Sequence, residues 1–379
     1  MNVTALREQF PITRWGTYLD HGSRCPTPQA VLERQEAFAR FCAQRGRDYA
    51  AWWTMADNLR ARIAALINAE AAEICYASST THALNLLAQG YPWKAGDVIV
   101  AAQMEFPSNV YPWLGLAEKG VEVRMIQPQD GRITLEMIRD ALDARTRLVA
   151  LSHVQAANGF RLNLQEVGQL CHSRDIVFCV DATQSLGAYE VDVERDGIDF
   201  LACSTYKWLM ASDGLAVCFC RAQLLPSLKL SYYGWSGRCD RNEFYTYPMK
   251  YPSKAQRFEL GNPNFSALAA LEAALDLRDE IGGEVILGRT QQVVDCFYEA
   301  LRGIEGVMPV GDFAPDHRGA LITLRLEHAP RVFEGLTRRR IATALRREGI
   351  RISPYFYNTS EEADLLARAL RELTGGGAA

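Results

Sequence analysis

The sequence predicts an α/β protein: a large domain on a mostly parallel seven-stranded sheet, followed by a smaller C-terminal α/β domain. Three observations carry that expectation. The chain has 379 residues, more than a single hydrophobic core usually spans, so two lobes are expected. From about residue 70 to 220, short apolar runs alternate with amphipathic stretches. Most of these runs are apolar on both faces, as in a parallel sheet covered by helices on each side.

The seven predicted strands are Ile74 to Tyr76, Asp97 to Ala101, Val121 to Met125, Leu148 to Leu151, Ile176 to Val180, Phe200 to Cys203 and Leu215 to Phe219. Helices are expected at Ala83 to Ala88, Thr134 to Leu142 and Asn163 to Cys171, where apolar residues recur at three and four spacing. Residues 231 to 256 break the rhythm with Tyr232, Tyr233, Trp235, Tyr245, Tyr247 and Tyr251 among Gly, Pro and charged positions. A loop that long and that aromatic reads as functional. Beyond it come helices Ala267 to Asp279 and Glu284 to Leu301, strand Ala320 to Leu326, helix Arg338 to Glu348, strand Ile350 to Ser353 and helix Glu361 to Leu373. The glycine-rich end from Gly375 reads as a frayed tail. The boundaries expected are an N-terminal arm at 1–20, a large domain at 21–256 and a small domain at 257–379 that also takes the N-terminal segment.

With 48% hydrophobic and 23% charged residues and a formal net charge of -4, the chain matches a soluble globular protein and argues against nucleic-acid and membrane surfaces. Its first residues carry charge and no apolar h-region, so they do not read as a signal peptide. The ten cysteines are scattered, several inside apolar strands, and read as buried thiols of a cytoplasmic protein. Cys218 and Cys220 are one residue apart, not the two of a zinc knuckle, so no metal site is expected.

The chemistry concentrates at strand ends. Lys207 follows the apolar strand Phe200 to Cys203, where desolvation favours a neutral amine able to condense with an aldehyde into a Schiff base. Asp181 ends the preceding strand and supplies a counter-charge for a protonated pyridine nitrogen. Ligands of wound sheets sit beyond the carboxyl ends of their strands, so the pair suits pyridoxal 5'-phosphate. Ser78 to His82 opens a helix with small hydroxyl residues, a phosphate-binding arrangement to which Ser204 adds a donor. Phe106 is placed to stack on a pyridine ring, and Gln184 to reach its phenolic oxygen. Arg351, on a strand of the second lobe, suits a bidentate contact to an amino-acid carboxylate.

In this order the segments resemble the class V aminotransferase family of fold-type I pyridoxal phosphate enzymes, which includes cysteine desulfurases, kynureninases and isopenicillin N epimerase-like proteins. The resemblance runs from Tyr18-Leu19-Asp20-His21-Gly22-Ser23 to Ser353-Pro354-Tyr355-Phe356-Tyr357-Asn358-Thr359. It implies that Lys207 carries the cofactor and afterwards moves protons, that Asp181 pairs with the ring nitrogen, and that Thr80, Thr81, Ser204 and Tyr206 hold the phosphate. It also implies substrate contacts from His21, Tyr355 and Arg351, and cofactor contacts from Trp235 and from Asn262 in the segment 257–264 that reach a partner subunit's site, hence a two-fold dimer.

Departures from the pattern narrow the expected reaction. Desulfurases of the family carry a mobile cysteine shortly before the carboxylate-binding arginine, whereas the last cysteine here is Cys296 in a predicted helix. They also place histidine where Phe106 and Tyr206 stand, and many have asparagine at the position of Ala156, differences that point to the kynureninase and epimerase-like members; Tyr355 occupies a position where relatives often have histidine. The first expectation is therefore a lyase that breaks a carbon–sulfur bond at the β carbon of a cysteine-derived amino acid without an enzyme persulfide. The alternatives are an aminotransferase or an epimerase acting on a bulkier amino acid in a biosynthetic pathway, and, more remotely, a non-catalytic relic of the fold.

Overall fold

The structure, a computed structural model, describes residues 3–311 and 313–375. The large sheet contains seven strands: β1 (Ile74–Ala77), β2 (Val98–Ala102), β3 (Glu122–Ile126), β4 (Thr146–Ser152), β5 (Val177–Asp181), β6 (Phe200–Ser204) and β7 (Ala216–Cys220). They lie in the order β1-β7-β6-β5-β4-β2-β3, with only β7 antiparallel to its neighbours. Each predicted strand is present within about two residues, because runs such as Val98-Ile99-Val100-Ala101 bury both faces under helices.

Register decides what the sheet can do. Ser152 pairs with Asp181 across β4 and β5, and Asp181 with Ala202 across β5 and β6. The carboxyl ends of the three central strands are therefore level, and the residues that follow them meet on one edge. Helix Thr80–Gly90 starts at the same edge, its N-cap Ser79 accepting from the His82 amide.

A second, antiparallel sheet forms the C-terminal lobe from β8 (Val307–Pro309), β9 (Ile322–Leu326), β10 (Ala344–Arg346) and β11 (Gly349–Ile352), in the order β10-β11-β9-β8. The N-terminal segment belongs to this lobe. Thr17–Tyr18 pairs in parallel with Ile341–Ala342, Phe10 stacks on Tyr357 at 4.1 Å, and Arg7 forms a two-pronged bond with Glu362. Helices Gln29–Arg45 and Tyr49–Leu66 pack against Phe265–Ile281, which carries the chain from one lobe to the next. Among the described residues, no helix is long and apolar enough to cross a membrane.

One predicted element is corrected. The helix expected at Arg338 to Glu348 ends where it should begin: a helix covers Ala329–Arg338, Arg340 turns left-handed (φ 57°), and the chain then runs as strand Ile341–Ala342 and hairpin β10–β11. Long charged residues favour a helix locally, but burying Ile341 against Thr17 and pairing Leu345 with Ile350 wins. Gly349 permits the hairpin, since its φ of 140° and the close approach of the Leu324 carbonyl leave no room for a Cβ. Beyond Gly375, which ends the last helix, the expected frayed tail lies outside the described residues.

The segment 257–264 is fixed by a buried ion pair. Glu259 accepts from Arg60 at 2.8 Å and from the Tyr76 amide at 3.1 Å, and Arg60 also donates to the Ile74 carbonyl. With both side chains almost fully enclosed, removing the acid leaves the buried Arg60 charge only the half-exposed Asp57 at 3.6 Å. Glu259→Ala should lower the unfolding free energy by about 3–5 kcal/mol in urea denaturation. A loss below about 1 kcal/mol, the range of solvent-exposed pairs, would show that water relieves Arg60 and that the pair is not an anchor.

Candidate active site

Beyond the level strand ends lies a cavity of about 180 Å³ with Lys207 on one wall and Asp181 at its base. Both are nearly excluded from solvent, at 6% and 4% exposure. Burial, opposed by the charge of Asp181, brings the Lys207 amine down to about 8. Burial likewise raises the Asp181 carboxyl, against bonds from Thr183, whose amide donates to it at 2.9 Å, and against the charge of Lys207. The two side chains thus form a partly desolvated pair of opposite charge lining one space.

The same cavity is lined by a hydroxyl cluster. Thr80 Oγ1 lies 2.8 Å from Thr183 Oγ1 and 2.7 Å from Ser204 Oγ, while Thr81 donates to Ser108 at 2.8 Å. All sit around the N-terminus of helix Thr80–Gly90, where amide groups and the dipole favour an anion. Gln184 is held by both ends of its amide, accepting from Trp208 Nε1 and donating to the Gly22 carbonyl, each at 2.9 Å, which fixes its face towards the cavity. Phe106 and Tyr206 flank the lysine, with Nζ 5.6 and 5.7 Å from their ring centroids. Phe106 is positioned by its neighbour: the buried Glu105 accepts from the Ser152 amide (2.7 Å), Gln155 (2.6 Å) and Asn109 (3.0 Å), pinning the loop after β2 to the end of β4.

An adjoining cavity of about 320 Å³ shares Lys207, Phe106, Gln184 and Tyr206 and extends to Gly22, Ser23, Arg346 and Arg351. Arg351 donates to the Ala156 carbonyl at 3.1 Å and to Ser23 Oγ at 2.8 Å, with Asp20 at 3.7 Å. This outer chamber presents guanidinium groups beside the lysine. A larger depression of about 1040 Å³ in the C-terminal lobe, around Gly303 to Met308, contains no comparable lysine and acid.

Lys207, Asp181, Gln184, Phe106, Ser204, Tyr206, Thr80 and Thr81 therefore converge on the inner cavity, and Arg351 on the outer one. The remaining four expected site residues line neither. Tyr355 is fully buried, its hydroxyl donating to the Gly187 and Trp208 carbonyls, so it braces the lysine loop from behind instead of facing a substrate. His21 is packed against Tyr355 and Trp208, and burial lowers its ring to about 3, which keeps it neutral; its neighbours Gly22 and Ser23 take the outer wall. Trp235 packs on Trp53 and Phe244, and Asn262 borders a separate cavity beside Ser78 and His82. Sequence reasoning missed Thr183, Ser152, Ser23 and Arg346. Thr183 was detectable as a hydroxyl two residues past Asp181; Arg346 was hidden by the wrongly assigned helix.

The residues present fit pyridoxal phosphate: a desolvated lysine and a buried acid share one cavity with a helix N-terminus crowded with hydroxyls. The comparisons agree. A probable cysteine desulfurase of Methanothermobacter thermautotrophicus is 29% identical over 402 residues, covering 100% of this chain and 99% of its own length. A cysteine desulfurase of Pectobacterium carotovorum is 30% identical, covering 94% and 92%. Among solved structures, the apo cysteine desulfurase of Thermococcus onnurineus superposes with a TM-score of 0.91 at 24% identity over 99% of both chains. The cystine C–S lyase C-DES, solved with cysteine persulfide, does so with a TM-score of 0.88 at 22% identity over 96% of this chain and all of its own. These two show a shared fold. The sequence pattern of the aminotransferase class-V family matches residues 17–366, nearly the whole chain, and the protein belongs to that pyridoxal-phosphate-dependent family.

Proposed function

We propose that this class V enzyme is a β-lyase: it breaks the carbon–sulfur bond of a cysteine-derived amino acid and releases the sulfur product directly, without an enzyme persulfide. The observation that carries this reading is the wall ahead of Arg351. Among the described residues no cysteine lines either cavity; that wall is the short hairpin β10–β11, and Cys296 lies in helix Gly283–Leu301, which packs on the last helix of the same C-terminal lobe and borders neither cavity. The relatives named for cysteine desulfuration and for cystine C–S cleavage support carbon–sulfur chemistry on this scaffold.

When bound, pyridoxal phosphate supplies an electron sink that weakens the bonds at the substrate α carbon. In this reading Thr80, Thr183, Ser204 and the helix amides hold its phosphate, Asp181 its ring nitrogen, Gln184 its phenolic oxygen, and Phe106 covers a ring face. Arg351 takes the substrate carboxylate in a planar two-pronged contact. Lys207, whose burial makes its amine easier to deprotonate, receives the α proton at Nζ, and the thiol leaves from the β carbon. With water the products are a thiol, pyruvate and ammonium. A two-fold dimer is part of the same reading, supported by the exposed Tyr232, Tyr233, Tyr245 and Tyr247 beside Trp235 and Asn262. The proposed compartment is the cytoplasm, in keeping with ten free thiols.

The loaded enzyme incubated with S-alkyl cysteines should yield equal amounts of pyruvate and thiol without an added keto acid. Amino transfer that depends on an added keto acid, or inversion at the α carbon with the substrate otherwise intact, would replace this reading by a transaminase or an epimerase.

A further inference from the structure

We propose that the outer chamber selects amino acids bearing a second carboxylate at the far end of the side chain, with Arg351 holding the α-carboxylate and Arg346 the distal one. The inference deepens the reading of the site as an amino-acid lyase and rests on it for the reaction, though not for the binding.

Arg346 reaches the chamber from the tip of hairpin β10–β11 and lines it together with Lys207, Arg351 and Phe106. Its Nη2 donates to Ser23 Oγ at 2.6 Å, and Nη2 of Arg351 donates to the same oxygen at 2.8 Å. Two cations are thus held around one neutral hydroxyl. The two like charges repel, weakened on the side of the exposed Arg346 by water but not around the buried Arg351, and an anion joining them relieves that repulsion. Burial first, and the Arg346 charge next, lower Arg351 to about 10, so the two guanidinium groups interact with each other.

Existing acids do not resolve the excess for Arg346. Asp20 stands 3.7 Å from Arg351, Glu348 on the same hairpin is paired with Arg325, and Glu105 is consumed by Ser152, Gln155 and Asn109. Among the described residues Arg346 makes no ion pair, its other bond being to the Leu345 carbonyl. Ser23 Oγ also occupies the position between the two forks where one bridging carboxylate would sit. Each fork therefore keeps its remaining N–H groups for a separate anion. The adjoining chamber, about 320 Å³ and sharing only one wall with the cofactor cavity, is larger than a cysteine side chain requires.

Calorimetric titration of the holoenzyme with glutarate and with butyrate tests the binding claim without turnover. Glutarate should bind at least about tenfold more tightly, equivalent to about 1.4 kcal/mol. In Arg346→Gln that preference should fall to near unity, and Arg346→Lys should restore part of it. A wild-type preference near unity, or one that Arg346→Gln leaves intact, overturns the proposal; the latter includes the case in which both arginines grip a single carboxylate. Thermal unfolding of the variant, whose side chain is on an exposed hairpin, reports whether the fold is retained, and a disrupted Arg346→Gln would be replaced by Arg346→Met. If glutarate is preferred but S-carboxymethyl-cysteine yields no pyruvate, the lyase reading fails and the dicarboxylate site stands.

Discussion

Lys207→Ala should reduce turnover by at least about 10⁴-fold, because in the proposed reading it removes both the point of cofactor attachment and the base at the α carbon. The same change should leave the fold intact. The amine is placed at about 8 against an ordinary 10.5, with burial as the largest cause. A lysine with a depressed folded pKa costs stability while charged: the cost is full below about 8, recedes between 8 and 10.5, and is gone above both values. Near neutral pH the cofactor-free variant should therefore unfold no more easily than the wild type. The same depression predicts that loading of cofactor-free wild-type enzyme accelerates as pH rises through about 8, following the neutral amine. Absorbance of the bound cofactor, trapped with borohydride and mapped by mass spectrometry, gives the second readout. A trapped label on any residue other than Lys207, or substantial turnover by a folded Lys207→Ala protein, would contradict the assignment.

The parts of this site legible in the sequence are those fixed by local pattern. Asp181 and Lys207 each follow a run that is apolar on both faces, and such a run has few fates other than a central strand whose carboxyl end opens on a ligand. The hydroxyl cluster proposed to hold the phosphate was legible for a similar reason, since Ser79 caps the helix that Thr80 opens at a strand-to-helix junction. What escaped depends on distant segments. The stretch 338–348 looks helical by composition, yet Ile341 finds its partner in Thr17, at the other end of the chain. That one misreading removed Arg346 from view. Tyr355 and His21 failed differently: a strand-following aromatic or histidine looks available to a substrate, and only packing shows that the Gly187 and Trp208 carbonyls consume the tyrosine hydroxyl and that the imidazole is wedged between rings. Residues 7 to 18 pack on the C-terminal lobe, and Glu259, just past the boundary expected at 256, is anchored to Arg60 by a pairing that spans about half the chain and leaves no local pattern.

Asp181→Asn isolates the second half of the chemistry, because the amide keeps the volume of the carboxylate and deletes only its charge. In the folded chain Asp181 is 4% exposed, and its carboxyl is raised first by burial, with the Thr183 bonds and the Lys207 charge pulling the other way. An acid raised above its unfolded pKa costs stability at pH above both values and ceases to do so as pH falls below them. Without cofactor, then, Asp181→Asn should be as stable as the wild type or slightly more so at neutral pH. Loaded enzyme should show the reverse dependence. A buried charge that loses its partner costs about 3–5 kcal/mol, and a neutral amide cannot keep a ring nitrogen protonated, so turnover should fall by about 10²–10³-fold while the lysine attachment persists. Retained attachment with lost turnover separates an electronic role from a structural one. If the variant unfolds before it loads, Asp181→Glu, which keeps the charge on a longer arm, should bind cofactor and recover part of the rate; equal activity in the asparagine, glutamate and wild-type proteins would leave the carboxylate with no part in the chemistry.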